Sequence, residues 1–218
     1  MKPSTLHYFY DPFCGWCYAA APMVSAAQAI DGLTVQPHGV GMLSGDQAID
    51  MSAQWRDFVR PHEQRITALS GQTFGAPYVD GVQMRTDIHL DSTPPIAAML
   101  AAEQLSDQGV EMVKQLQHMY YQQGRAIAER EVLLEAAQAI GLEPKAFGDA
   151  LDRLLGDRVE MHIDASNAQL RALAASGFPT FALERDGQLQ VLPLGRYLGR
   201  PEKFADALTQ LMSDQPAA

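Results

Sequence analysis

The sequence predicts an α/β fold in which a β-α-β unit and an α-β-β-α unit are separated by a long helical segment. Three observations lead there. An aromatic-rich stretch runs directly into Cys14-Gly15-Trp16-Cys17 and an alanine-rich helix. Strand signals nearly vanish between Ser44 and about Gly156. They return only near the end, around the Asp186-Gly187 turn.

Taken in order, Thr5–Tyr10 is rich in aromatic β-formers and reads as a strand. Asp11-Pro12-Phe13 leads into a helix from about Cys14 to Ile30, stopped by Asp31-Gly32. Pro22 lies inside that span, where it either kinks the helix or ends it near Ala21. Leu33–Gln36, running on towards Val40, is a second strand, parallel to the first because a helix makes the crossover.

The next stretch is helical: Ala48–Leu69 with a break near Pro61, then a helix started by Ser92-Thr93-Pro94-Pro95. Val110–Tyr121 places Val113, Leu116 and Tyr120 on one face. Glu131–Ile140 ends at Gly141, and Pro144–Leu155 and Val159–Ala175 follow. Pro179–Leu183 and Leu189–Leu192 flank Asp186-Gly187 as a hairpin. A last helix begins at Pro201, with Phe204, Leu208 and Met212 as its apolar stripe, and Ser213–Ala218 reads as a frayed tail. The expected division is residues 1–43 and 157–218 as one discontinuous domain, with 44–156 as a helical insertion.

Composition narrows the function. A formal charge of −10 argues against nucleic acid, whose phosphates need a basic surface, and against an anionic membrane. No apolar run approaches the ~18 residues that span a bilayer, and residues 1–13 hold no signal-type apolar core, so a cytoplasmic location is expected. The only two cysteines of the chain, Cys14 and Cys17, fit a reducing compartment where thiols serve chemistry rather than stapling. A Cys-x-x-Cys at a strand-to-helix junction is a thioredoxin-like redox motif. Removing the insertion leaves the thioredoxin order of elements.

On these residues the chain resembles the DsbA-like branch of the thioredoxin superfamily, particularly the FrnE-like dithiol-disulfide isomerases of bacteria. Asp11-Pro12-Phe13-Cys14-Gly15-Trp16-Cys17-Tyr18 carries the likeness at the start and Gly177-Phe178-Pro179-Thr180-Phe181 near the end. The resemblance implies a cis Pro179 facing the dithiol, with the Phe178 backbone pairing an extended substrate segment. Three positions depart from the family pattern: the Gly-Trp dipeptide, Tyr8 where many relatives carry a buried proton-accepting acid, and Phe178 before the proline. They bear on potential and direction, and leave the reaction class intact.

Within that frame Cys14 is the expected nucleophile, since unpaired N–H groups and the dipole at a helix N-terminus favour a thiolate. Cys17, one turn on and more buried, is expected to resolve the mixed disulfide. Zinc would need two further ligands, and the six histidines show no paired spacing. Gly15 is expected to let a partner's backbone approach the sulfur. Trp16 either presents an apolar substrate surface or packs against the helical segment. Asp11 reads as turn chemistry ahead of a catalytic acid. His7, His38, His89 and His162 read as structural. Gly39–Gly45 lacks the spacing of a dinucleotide loop. Met99, Met112, Met119, Tyr120 and Tyr121 read as core, in part as groove lining.

The expected activity is thiol-disulfide exchange with cysteines of protein or peptide substrates. No bound cofactor is expected beyond the redox-active Cys14–Cys17 disulfide, with glutathione or a thioredoxin-type reductant as candidate electron partner. Two alternatives stand beside it. One is a glutathione-dependent transferase or isomerase resembling the kappa-class and chromene-carboxylate enzymes, against which both cysteines count. The other is a redox-regulated holdase.

Overall fold

The computed structural model describes residues 4–175 and 177–213. In chain order the elements are β1 (Ser4–Tyr10), α1 (Gly15–Ala19), α2 (Ala21–Gln28), β2 (Leu33–Gly39), β3 (Ile49–Asp50), α3 (Ala53–Ser70), β4 (His89–Leu90), α4 (Thr93–Ser106), α5 (Gly109–Tyr121), α6 (Arg130–Ala139), α7 (Pro144–Leu154), α8 (Asp157–Ala172), β5 (Thr180–Arg185), β6 (Gln188–Leu192), α9 (Leu194–Tyr197) and α10 (Pro201–Ser213). Four strands form the main sheet in the order β2-β1-β5-β6. β1 and β2 are parallel, and β5 runs antiparallel to β1, with Tyr8 opposite Phe181. This is the thioredoxin arrangement expected from the order of elements.

Alternation along β1 sends its residues to two cores. Leu6, Tyr8 and Tyr10 enter the main core, where Tyr8 stacks on Phe181 and Phe181 meets Phe204 of α10. Phe9 turns to the other face and packs with Val40 and Leu170 of α8. Coverage on both faces buries the end of β1 continuously, from Tyr8 to Tyr10. Asp186 and Gly187, at φ 51° and 74°, supply the turn between β5 and β6.

Several boundaries differ from the sequence expectation. The first helix is two helices: α1 ends at Ala19 with Ala20 as its cap, and α2 restarts with Pro22 in its first turn, where a missing N–H costs nothing. Pro61 breaks no helix; α3 runs through it from a Ser52 cap to Gly71, held by its packing on α1. Ser92 precedes α4 without capping it, because its hydroxyl accepts the Leu43 N–H at 3.2 Å. The segment between β2 and α8 is not wholly helical, since β3 and β4 pair as a short ribbon. α9 lay unseen in the sequence. The expected frayed tail lies, apart from Ser213, outside the described residues. Among the described residues no helix is long and apolar enough to cross a membrane.

Candidate active site

The site begins where β1 ends. The Asp11 backbone carbonyl accepts the Cys14 N–H at 3.2 Å, and its wholly buried carboxylate accepts N–H groups from Phe13 (2.9 Å) and Met42 (2.6 Å). Asp11 thus latches the cysteine loop to the 39–45 turn. Burial pushes its carboxyl up to about 6, against the pull of bonds to Phe13, Ser92 and Met42.

Cys14 occupies the N-cap of α1 in extended conformation, and its Sγ accepts the Cys17 N–H at 3.3 Å. The same N–H also donates to the Cys14 backbone carbonyl at 3.0 Å, so the sulfur shares a first-turn donor with its own main chain. Cys14 is 7% exposed and Cys17 is fully buried, so an incoming group reaches only the first sulfur. Both are free thiols in this structure. Burial, first of all, raises the Cys17 thiol well above its ordinary range, with proximity to Cys14 adding to the shift. Beneath it, the Tyr8 hydroxyl donates to the Cys17 carbonyl at 3.2 Å. Opposite Cys14, the Phe178–Pro179 peptide is cis, and the Phe178 carbonyl accepts from the Cys14 thiol at 3.8 Å. Two segments 164 residues apart in sequence therefore meet at one sulfur.

Cys14 opens into a cleft of about 200 Å³ whose walls are mainly aromatic. Phe13, Trp16 and Phe178 line it from the thioredoxin elements; Trp55, Phe58, His62, Glu63 and Ile66 come from α3, with Tyr78, Tyr120 and Tyr121 behind. Of the predicted site residues, Cys14, Gly15, Trp16 and Phe178 lie on this cleft, while Cys17 sits beneath it.

Gly15 has a role the sequence did not suggest. A Cβ there would stand 3.0 Å from Ile66 Cδ1, so the glycine admits α3 against α1. Trp16 lines the cleft and also packs on α3: its Nε1 donates to His62 Nδ1 at 3.4 Å with Arg65 5.8 Å above its ring. Tyr120 and Tyr121 line the cleft, whereas Met99, Met112 and Met119 are core.

The α3 contributors went unassigned by the sequence reading. Trp55, Phe58, Val59, His62 and Ile66 nonetheless fall at helical spacing, a stripe that would have been legible had the helix been carried through Pro61. Of the histidines read as structural, none lines the cleft. His7 and His38 share a 2.9 Å contact next to His162, and burial lowers His38 to about 3 and His162 to about 4. Among the described residues no three His, Cys, Asp or Glu side chains converge as metal ligands would.

The fold agrees with the comparisons to known proteins. The chain is similar in structure to the cytosolic disulfide reductase DsbM from Pseudomonas aeruginosa, at 47% identity and TM-score 0.89, over 95% of this chain and 98% of that one. It is likewise similar to the structure of DsbM with GSH, at 45% identity and TM-score 0.88, with the same coverage. A 2-hydroxychromene-2-carboxylate isomerase, at 14% identity and TM-score 0.59 over 98% of this chain and all of that one, shares the fold alone. Among curated proteins it is 25% identical, over 159 residues, to the ClpXP adapter protein SpxH of Halalkalibacterium halodurans. That match takes in 67% of this chain and 48% of the relative, so the chain spans about half the length of the curated protein it matches. A family model for the DSBA-like thioredoxin domain matches residues 5–208, and the chain belongs to that family.

Proposed function

We propose that this chain is a thiol-disulfide oxidoreductase that works mainly in the reducing direction. The observation that carries the reading is the meeting at Cys14 of a helix N-terminus, the open cleft and the Phe178–Pro179 cis peptide, with Cys17 sealed below. Cys14, as thiolate, attacks one sulfur of a substrate disulfide and expels the other as a thiol, leaving a mixed disulfide. Cys17 gives up its proton, attacks Cys14 and releases the second substrate thiol. The substrate gains two electrons, and the protein is left with a Cys14–Cys17 disulfide. Because burial favours the thiol form of Cys17, its proton must leave as it attacks.

Gly15, Trp16, Phe178 and Pro179 form the proposed substrate-binding surface, with the Phe178 backbone offered to an extended cysteine-bearing segment of a protein or peptide. Two molecules of glutathione would return the disulfide to the dithiol, yielding glutathione disulfide. The 45–47% identity to a cytosolic disulfide reductase whose structure includes GSH supports the direction, the partner and a cytoplasmic setting. No prosthetic group is needed for these steps. Residues 1–43 and 157–218 are proposed to supply the dithiol domain and 44–156 the cleft's far wall. In the transferase reading a single hydroxyl or thiol would suffice, which leaves Cys17 without a purpose.

The test is turnover of insulin and of scrambled ribonuclease by the intact chain and by Cys14→Ser. Activity in the former and at least a thousandfold loss in the latter is expected; equal turnover by both overturns the proposal.

A further inference from the structure

The cleft beside Cys14 holds one group that the exchange chemistry does not use. Glu63 lies on α3, only 9% exposed, facing a cleft whose other walls are mostly rings. Its Oε1 accepts two hydrogen bonds, from the Tyr78 hydroxyl at 2.8 Å and from Gln83 Nε2 at 2.7 Å. Both donors are themselves buried, at 2% and 1% exposure. Oε2 takes no hydrogen bond among the described residues, and no Lys, Arg or His among them pairs with the carboxylate. The buried Gln83 carbonyl oxygen is likewise without a partner.

The cluster therefore has two acceptor oxygens left over, Glu63 Oε2 and Gln83 Oε1. A carboxylate removed from water is costly unless paired, and two donors fixing one oxygen orient the other rather than neutralise the charge. Aromatic walls of Trp55, Phe58, Tyr78 and Tyr121 add ring faces that attract a cation and repel an anion. A protonated amine satisfies all of these features at once: it donates to Oε2, it neutralises the charge, and it sits well among rings.

Resting on the reading of Cys14 as nucleophile, we propose that Glu63 is a cation subsite of the cleft, which selects disulfides bearing a protonated amine a few bonds from the sulfur. The amine of small aminothiols, three bonds from the sulfur, has this chemistry, and the γ-glutamyl amine of glutathione is the same group at a longer reach. In the step concerned, Cys14 attacks the disulfide of such a molecule and releases one aminothiol. Cys17 displaces the second, and the two electrons pass from the dithiol to the substrate.

The experiment uses the reduced intact chain and small disulfides of similar size: cystamine (two ammonium groups), bis(2-hydroxyethyl) disulfide (neutral) and 3,3′-dithiodipropionate (two carboxylates). Second-order rates are divided by those of dithiothreitol with the same probes, which removes their intrinsic reactivity. The normalised rate for cystamine should exceed that for the hydroxyethyl probe at least tenfold, with dithiodipropionate slowest. Glu63→Gln should lower the cystamine-to-hydroxyethyl ratio about tenfold, as expected for loss of one charge-assisted bond. Glutathione disulfide against its N-acetylated form separates the two ligand sources, and a preference for the free amine assigns the subsite to glutathione.

The wild-type ratio needs no variant, so a misfolded Glu63→Gln leaves the proposal exposed to refutation. A normalised ratio near one, or an equal fall toward both probes in a folded variant, overturns the subsite. The first result would mean that a neighbour such as Arg60, which borders Glu63 on its other side, neutralises the carboxylate in solution. Absence of reaction with every disulfide would instead overturn the oxidoreductase reading.

Discussion

Replacing Asp11 by asparagine removes one charge from the middle of the cysteine-loop latch while keeping its volume. The carboxyl is pushed from 3.8 up to about 6 because it is wholly buried, and no cation among the described residues offsets this. A folded-state value above the unfolded one means that the protonated form is the stabilised one. The contribution is fully present below pH 3.8 and is lost as pH rises through about 6. Over the whole range the loss is about 3 kcal/mol, from a shift of roughly two pKa units at 1.36 kcal/mol each. About half of it, near 1.4 kcal/mol, falls between pH 5 and pH 8.

The variant lacks this titration, so its stability relative to the parent should improve by about 1.4 kcal/mol across that interval. At pH 5 the variant is expected to be the less stable, because the amide must present its NH₂ to one of the two N–H groups, Phe13 or Met42, that the carboxyl satisfies. Urea unfolding of the reduced proteins at pH 5, 6, 7 and 8 measures the difference directly. A difference that stays constant within about 0.5 kcal/mol, or that moves the other way, refutes the view of Asp11 as an uncompensated buried acid.

Two further outcomes follow from the same packing. Gly39→Ala would put a Cβ 2.7 Å from Ile96 Cγ1 and Cγ2, inside a filled core, and should cost about 1–3 kcal/mol in urea unfolding. Tyr8→Phe removes the bond to the Cys17 carbonyl and should cost about 1 kcal/mol, since that carbonyl keeps its bond from the Ala20 N–H. It should leave the Cys17 thiol raised well above its ordinary range, as followed by thiolate absorbance near 240 nm, because burial rather than Tyr8 raises it.

What could be read from the chain and what could not divide along a physical line. The strand before Cys14, the Cys-x-x-Cys, the Asp186-Gly187 hairpin and Pro179 each carry their signal in a few neighbouring residues, and all appear where they were expected. Element order then yields the sheet, since a helix between β1 and β2 leaves only a parallel pair. The cleft was not legible in the same way. Its far wall depends on α3 continuing through Pro61, a choice made by packing against α1 that local propensity opposes. The same packing adds a second demand on Gly15, where a side chain would press on Ile66. Ser92 shows a similar override: a residue suited to cap its own helix serves Leu43 instead. Glu63 was invisible because nothing in a sequence tells a buried carboxylate from a solvated one. Only the convergence of Tyr78 and Gln83 on one of its oxygens distinguishes it.

The central claim, that Cys14 attacks and Cys17 resolves, is tested most directly by trapping the intermediate. Cys17→Ala and Cys14→Ala, each treated with a modest excess of bis(2-hydroxyethyl) disulfide near neutral pH and quenched with acid, can be weighed intact by mass spectrometry over time. Cys17→Ala should gain a single hydroxyethylthio adduct on Cys14 within minutes and hold it. Cys14→Ala should remain unmodified over the same period, its one sulfur buried and protonated. Equal or faster modification of Cys14→Ala would contradict the assignment of the nucleophile, and with it the account of the cleft that Cys14 opens into.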